Sequence, residues 1–222
     1  MKKTVFLIIS LFLFTSLTQA QLLSERTNGL VTIGGELFTD FNTGASYDNF
    51  KMRDINQGFS AYSMFNFQIN ESPHFASIGV GFTSHNFYMK GTYVTEPYLN
   101  KITFLDVPFD YKRSKINVTY VDIPIEMSFR IKDKFKISAG FKFGILTTGK
   151  TKFVGELKND GQMWRIKHCR MNNLEKYVYS VTLRMAYKSV YIFGAYQFGN
   201  TFKDGTGPQI KPLSIGIGVR PF

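Results

Sequence analysis

The chain has 222 residues, a formal charge of +11 and one cysteine, Cys169. That length suits one domain. The lone cysteine excludes an internal disulfide, and no run of 18 consecutive apolar residues follows the N-terminal segment, which excludes a helical membrane crossing there.

Lys2 and Lys3 form a positive start, Val5 to Leu17 is an apolar stretch broken only by Ser and Thr, and Thr18-Gln19-Ala20 has the small-residue pattern of a cleavage site. This is the layout of an export signal. It predicts removal of residues 1–20 and a mature domain over 21–222. Position 21 is Gln, so a lipid-anchored cysteine at the mature N-terminus is excluded. Behind an export signal the excess of Lys and Arg does not call for nucleic acid. It points to acidic lipid headgroups, surface polysaccharide or an acidic partner, against a background of charges on solvated loops.

Eight segments read as candidate strands, all but the seventh alternating apolar and polar residues with the period of a β-strand. The first, 29–40, sets Val31, Ile33 and Leu37 against Thr32 and Glu36. The second, 58–70, sets Phe59, Ala61, Phe65, Phe67 and Ile69 against Ser60, Asn66, Gln68 and Asn70. The third, 75–88, opposes Ile78, Val80 and Phe82 to Gly79, Gly81 and Thr83. The fourth, 118–130, opposes Val121, Ile123, Ile125, Met127 and Phe129 to Asp122, Pro124, Glu126, Ser128 and Arg130. Pro124 removes one ladder donor and predicts a bulge or a local gap. The fifth, 134–147, opposes Phe135, Ile137, Ala139, Phe141, Phe143 and Ile145 to Lys136, Ser138, Gly140, Lys142 and Gly144. The sixth, 176–187, opposes Tyr177, Tyr179, Val181, Leu183 and Met185 to Ser180, Thr182, Arg184 and Ala186. The seventh, 189–199, is apolar on both faces. The eighth, 212–220, sets Leu213, Ile215, Ile217 and Val219 against Ser214, Gly216, Gly218 and Arg220.

Several of these segments exceed the ~5–6 residues of an ordinary strand and match the roughly 9–11 of a tilted membrane strand. Long connections (41–57, 89–117, 148–175, 200–211) alternate with short turns at 71–74, 132–133 and 188. The reading is an all-β, eight-stranded antiparallel up-and-down transmembrane β-barrel in the outer membrane, with long external loops and both termini in the periplasm. A soluble barrel would carry charge on its outer face. Here the second face is rich in Gly, Ser, Thr and Asn. Phe38, Phe41, Tyr120, Tyr177 and Tyr179 near one rim and Phe75, Phe129, Phe135 and Tyr187 near the other predict two aromatic girdles.

The segment Tyr120-Val121-Asp122-Ile123-Pro124-Ile125-Glu126, an aromatic and an acidic residue before Ile-Pro and another aliphatic residue, resembles the PorT-like outer-membrane β-barrel family of Bacteroidetes. The resemblance extends over the mature chain in layout: export signal, central Ile-Pro strand, glycine-rich strands and terminal Phe222. It implies an eight-stranded barrel without catalytic residues, and partners in the type IX secretion and gliding machinery for some relatives. One departure concerns barrel insertion. Phe222 shares parity with Arg220 and Gly218 rather than with Val219 and Ile217, so recognition by the barrel-insertion machinery through Phe222 requires a bulge at Pro221 or an end outside the ladder.

An eight-stranded barrel has an interior only wide enough for side chains. The inward parity collects Glu36, Asp122, Glu126, Arg130, Lys136, Lys142 and Arg184. Unpaired, such charges are costly to bury, so an ion network filling the lumen is expected, with Glu126 in reach of Lys136, Lys142 or Arg184. Ser84-His85-Asn86 near the outer end of the third strand fits no lipase spacing, and neighbours on a strand face opposite ways. His74 lies at a turn and His168-Cys169 in an outer loop at the other end, so no metal site is expected. No phosphate-loop or nucleotide motif is present, and no cofactor is expected. The loop 148–175 carries Lys150, Lys152, Lys158, Arg165, Lys167, His168 and Arg170 around Trp164. Trp164, Arg165, Lys167 and Arg170 are its candidate contacts for lipopolysaccharide phosphate or a protein partner.

Overall fold

The computed structural model describes residues 30–45, 50–99, 101–107, 109–132, 134–157 and 161–220; the signal segment 1–20, Lys158, Pro221 and Phe222 lie outside them. The strands are β1 (Val31–Asn42), β2 (Gln57–Gln68), β3 (Phe75–Tyr88), β4 (Thr92–Val94), β5 (Phe104–Asp106), β6 (Tyr111–Lys132), β7 (Phe135–Gly155), β8 (Trp164–His168), β9 (Tyr177–Tyr187), β10 (Val190–Gln197) and β11 (Pro212–Val219). Eight of them close a ring, β1-β2-β3-β6-β7-β9-β10-β11 and back to β1, with every neighbouring pair antiparallel. Closure leaves no edge in the ring, which satisfies the backbone inside lipid. β4 and β5 form a separate hairpin, and β8 pairs only with the distal end of β7.

The sides follow from parity. β9 alternates without a break: Tyr177, Tyr179, Val181, Leu183, Met185 and Tyr187 are exposed, while Val178, Ser180, Thr182, Arg184 and Ala186 are buried. Leu183 is 51% exposed and the next residue, Arg184, only 4%. The same inversion runs around the ring, with Leu37, Phe65, Val80, Ile125, Ile192 and Ile217 outside. A soluble protein does not leave so much contiguous apolar surface in water. An apolar outer band with a polar interior is the membrane-barrel arrangement.

The two-sided apolar pattern of β10 has a simple origin. Val190 and Ile192 point outward, whereas Tyr191 and Phe193 fill the lumen. The same filling corrects the predicted girdles. Phe38 is 7% and Tyr120 1% exposed, and both lie inside, because period two places Phe38 with Glu36 and Asp40, and Tyr120 with Asp122. Phe41, Phe129, Tyr177, Tyr179 and Tyr187 do stand on the outer face. The inward glycines make room for these large groups. A Cβ on Gly34 would run into the Tyr62 ring, and one on Gly218 into the Tyr191 ring.

Pro124 sits in a gap: the β3–β6 ladder skips from Ile78↔Ile125 to Gly81↔Asp122. β6 begins at Tyr111 and β7 runs to Gly155, so both reach well past the predicted limits at 118 and 147. The residues 111–117 and 148–155 are charged on one face, which reads as loop. Their other face carries Ser114, Ile116, Thr151 and Phe153, and it is buried under a cap. That cap is an apolar core at the loop end of the ring, built from Phe87, Met89, Ile116, Val118, Leu174, Phe202 and Ile210 with neighbours from the β4–β5 hairpin.

Candidate functional site

Two interior layers and one outer face carry the polar chemistry. The lower layer holds two carboxylates and two guanidiniums. Arg184 donates from Nε to Glu36 Oε1 (2.9 Å) and from Nη1 to Glu126 Oε2 (2.5 Å). Arg220 donates from Nη2 to both Glu126 oxygens (2.9 and 3.0 Å) and from Nε to the Tyr62 hydroxyl (2.6 Å). Glu36 also accepts from Ser60 Oγ (2.5 Å) and from the Tyr191 hydroxyl (3.1 Å), and the two tyrosine oxygens are 2.7 Å apart. The Arg184 guanidinium lies over Tyr62 (5.2 Å) and that of Arg220 over Tyr191 (4.9 Å), adding cation–π attraction. All four charged groups are buried, and their formal charges cancel. Charge-assisted bonds of this kind, with each arginine shared between two acceptors, offset the desolvation of the four ions.

Nearer the loop end, Lys142 Nζ stands 3.6 Å from Asp122 Oδ2 and donates to Thr83 Oγ1 (2.9 Å), while Thr83 donates to Asp122. In the same layer His85 Nδ1 contacts Asp40 Oδ2 at 2.8 Å, and Ser214 donates to Asp40 Oδ1 (2.5 Å). The residual space beside His85, Tyr120, Asp122, Lys142 and Gln197 is about 10 Å³. That is room for roughly one water.

The inward set of the sequence therefore divides. Glu36, Glu126 and Arg184 meet in one cluster, and Asp122 pairs with Lys142 in another. Arg130 and Lys136 join neither by a direct ion pair; they face each other across the β6–β7 ladder near the short-turn end, and Arg130 is exposed. The Arg130 charge is solvated at the rim, whereas Lys136 is half-buried there. Arg220, absent from the predicted set, is its largest omission, along with Tyr62, Tyr191 and Asp40. The signal for Arg220 was its parity with Ser214, Gly216 and Gly218.

Ser84 and His85 are separated by the barrel wall. Ser84 Oγ accepts from Asn117 Nδ2 (2.9 Å) on the outer side, while the His85 ring stacks on Phe87 inside.

The segment around Trp164 is a strand rather than a loop. WRIKH alternates, and Ile166 lies opposite Phe153, facing the cap. Arg165 and Lys167 share the opposite, outward face; Trp164 is exposed on the Ile166 side, and Arg170 follows the strand end. The outward face is a basic three-stranded surface. Lys115, Lys152 and Lys167 stand directly across from one another on β6, β7 and β8, and Lys150, Arg113 and Arg165 flank them. Lys115 donates to Asn86 Oδ1 (2.6 Å) and lies over the Tyr88 ring (5.6 Å). Partial burial, then the charges of Arg113 and Lys152, hold its ammonium below the usual lysine pKa.

Comparison with solved structures returns, among others, Ail, the attachment invasion locus protein of Yersinia pestis, in complex with the heparin analogue sucrose octasulfate; it is 15% identical, with a TM-score of 0.39, and the match covers 86% of this chain and 98% of that one. Comparison with curated proteins gives no match. The model of the outer membrane protein beta-barrel domain family matches residues 19–203, well over half of the chain. With the closed ring, the apolar exterior and the charged, filled interior already described, the chain belongs to that family of outer-membrane β-barrels.

Proposed function

We propose that the protein is a sealed, non-enzymatic barrel with a structural or interaction role, its long loops outside the cell and both chain ends in the periplasm after removal of residues 1–20. The observation that carries this reading is the double closure of the lumen: the Glu36–Arg184–Glu126–Arg220 cluster fills it near one end, and the apolar cap covers it at the other. A conducting barrel needs a continuous wet path, and a hydrolase needs a nucleophile beside its base. His85 has its Nδ1 on Asp40, with Ser84 on the opposite face of the wall.

The Tyr120–Glu126 segment supports a place among PorT-like barrels, and a secretion-machinery partner is one form of the proposed role. Purification from native membranes under mild detergent identifies such a partner, the barrel-insertion machinery being the other expected companion.

The purified protein in planar bilayers is expected to give no discrete conductance steps. Stable, long-lived openings would favour a transport barrel and sink the sealed reading. Release of acyl chain or phosphate from lipid A would favour a lipid-modifying enzyme.

A further inference from the structure

On the outer face of β6, one parity runs Phe129, Met127, Ile125 and Val121, then Thr119 and Asn117, then Lys115 and Arg113. β7 repeats the sequence of surfaces: Phe141, Phe143 and Ile145, then, past the bulge at Thr147, Thr148, Lys150 and Lys152. The lipid-facing surface therefore passes without a break into a cationic one. Lys115 is six residues from Val121, about 20 Å along the strand, and less in height because membrane strands tilt. That is the zone above the hydrocarbon, where anionic headgroups lie.

Like charges directly opposite on neighbouring strands destabilise a sheet. Here three lysines face one another across three strands, in the register Lys115↔Lys152↔Lys167. Among the described residues, none of Lys115, Lys150, Lys152 and Lys167 has a carboxylate within ion-pair distance. These four side chains line a groove of about 380 Å³ with Asn117 and, toward the membrane, the lipid-facing Phe59. A groove with cations above and an apolar floor at its lower rim matches an amphiphile whose anionic head sits on top of acyl chains.

We propose that this groove binds the phosphate of the outer-leaflet glycolipid, with Lys115, Lys152 and Lys167 as its principal contacts and Lys150 and Asn117 beside them. The bound phosphate relieves the repulsion across the lysine row and fixes the β6–β7–β8 extension against the membrane surface. The assignment rests on the loop-outside placement proposed above.

The test uses the mature chain folded in phosphatidylcholine vesicles with increasing diphosphoryl lipid A, followed by fluorescence of Trp164, the one tryptophan in the sequence and the first residue of β8. Saturable, salt-sensitive binding is expected. The K115Q/K152Q/K167Q variant should bind at least about tenfold more weakly, since each cation near an anionic surface contributes separately. Lys188→Gln, at the short-turn end, should bind as the parent does. Retention of the compact band on unheated gels shows that each variant is folded. Equal binding of dephosphorylated lipid A, or an unchanged triple variant, would overturn the site. So would equally effective competition by inorganic phosphate or a soluble sulfated sugar, which would assign the groove to a free anion. Labelling of exposed Cys169 on intact cells by an impermeant maleimide tests the placement separately. Absence of label would remove the outer-leaflet source, whereas conductance alongside normal lipid A binding would defeat only the sealed reading.

Discussion

Replacing Glu126 with glutamine is expected to destabilise the folded barrel by about 3–5 kcal/mol, the usual consequence of leaving a buried counter-charge unpaired. Glu126 is the shared acceptor of Arg184 and Arg220, and it is 2% exposed. The amide leaves two buried guanidiniums facing one carboxylate, Glu36, which reaches Arg184 from the other side while the Arg220 guanidinium bonds Glu126 and Tyr62. Urea unfolding from lipid vesicles, read by loss of the compact gel band, measures the effect. Arg220→Ala alone leaves an excess negative charge and should also be strongly destabilising. The double variant E126Q/R220A restores neutrality, so its loss should fall short of the summed single losses by about 0.5–3 kcal/mol, the range for directly interacting residues. Additive losses would mean that the four groups do not act as one unit.

The second large effect is expected on the outer face of β9, the strand that carries Arg184 on its inner face. Leu183→Arg places a guanidinium in the outer apolar band, between Ala139 of β7 and Gly194 of β10. Near the bilayer midplane such a substitution costs about 2–4 kcal/mol. In a soluble barrel the same exposed position would accept arginine with little change. The pair of neighbours thus behaves in inverse fashion to a water-soluble strand: the native arginine at 184 stabilises from within, and a new one at 183 destabilises from without.

Period two carried most of the fold in the sequence. The parity of Val181, Leu183 and Met185 against Thr182 and Arg184 gave the strand and its two faces, and the alternation of long and short connections gave the up-and-down order. Four features lie beyond what period two shows. The extensions of β6 and β7 look like loop because Lys112, Arg113, Lys115, Lys150 and Lys152 are poor strand formers; only the cap, a tertiary feature, explains their pairing. The aromatic residues Phe38 and Tyr120 obey parity, but rim position suggested a girdle, and the size of the lumen residues opposite glycines is visible only in three dimensions. Arg220 has the inward parity of Ser214, Gly216 and Gly218, but it stands next to the chain end, and nothing local in the sequence signals the two bonds by which it holds Glu126. The row Lys115, Lys152 and Lys167 lies on three strands far apart in sequence, and register alone brings it together.

The central claim is that the apolar face of each strand meets lipid while the charged face fills a closed interior. Single cysteines at Val181, Leu183 and Met185, and at Ser180, Thr182 and Ala186, in a Cys169→Ser background, test it along one strand. In vesicles, a carbene photogenerated from a diazirine dissolved in the bilayer, which needs no thiolate, should react at 181, 183 and 185 and leave 180, 182 and 186 unmodified. Reaction at the even positions, or equal reaction at both sets, would contradict the assignment of faces on which the ion cluster, the sealed lumen and the basic outer surface all depend.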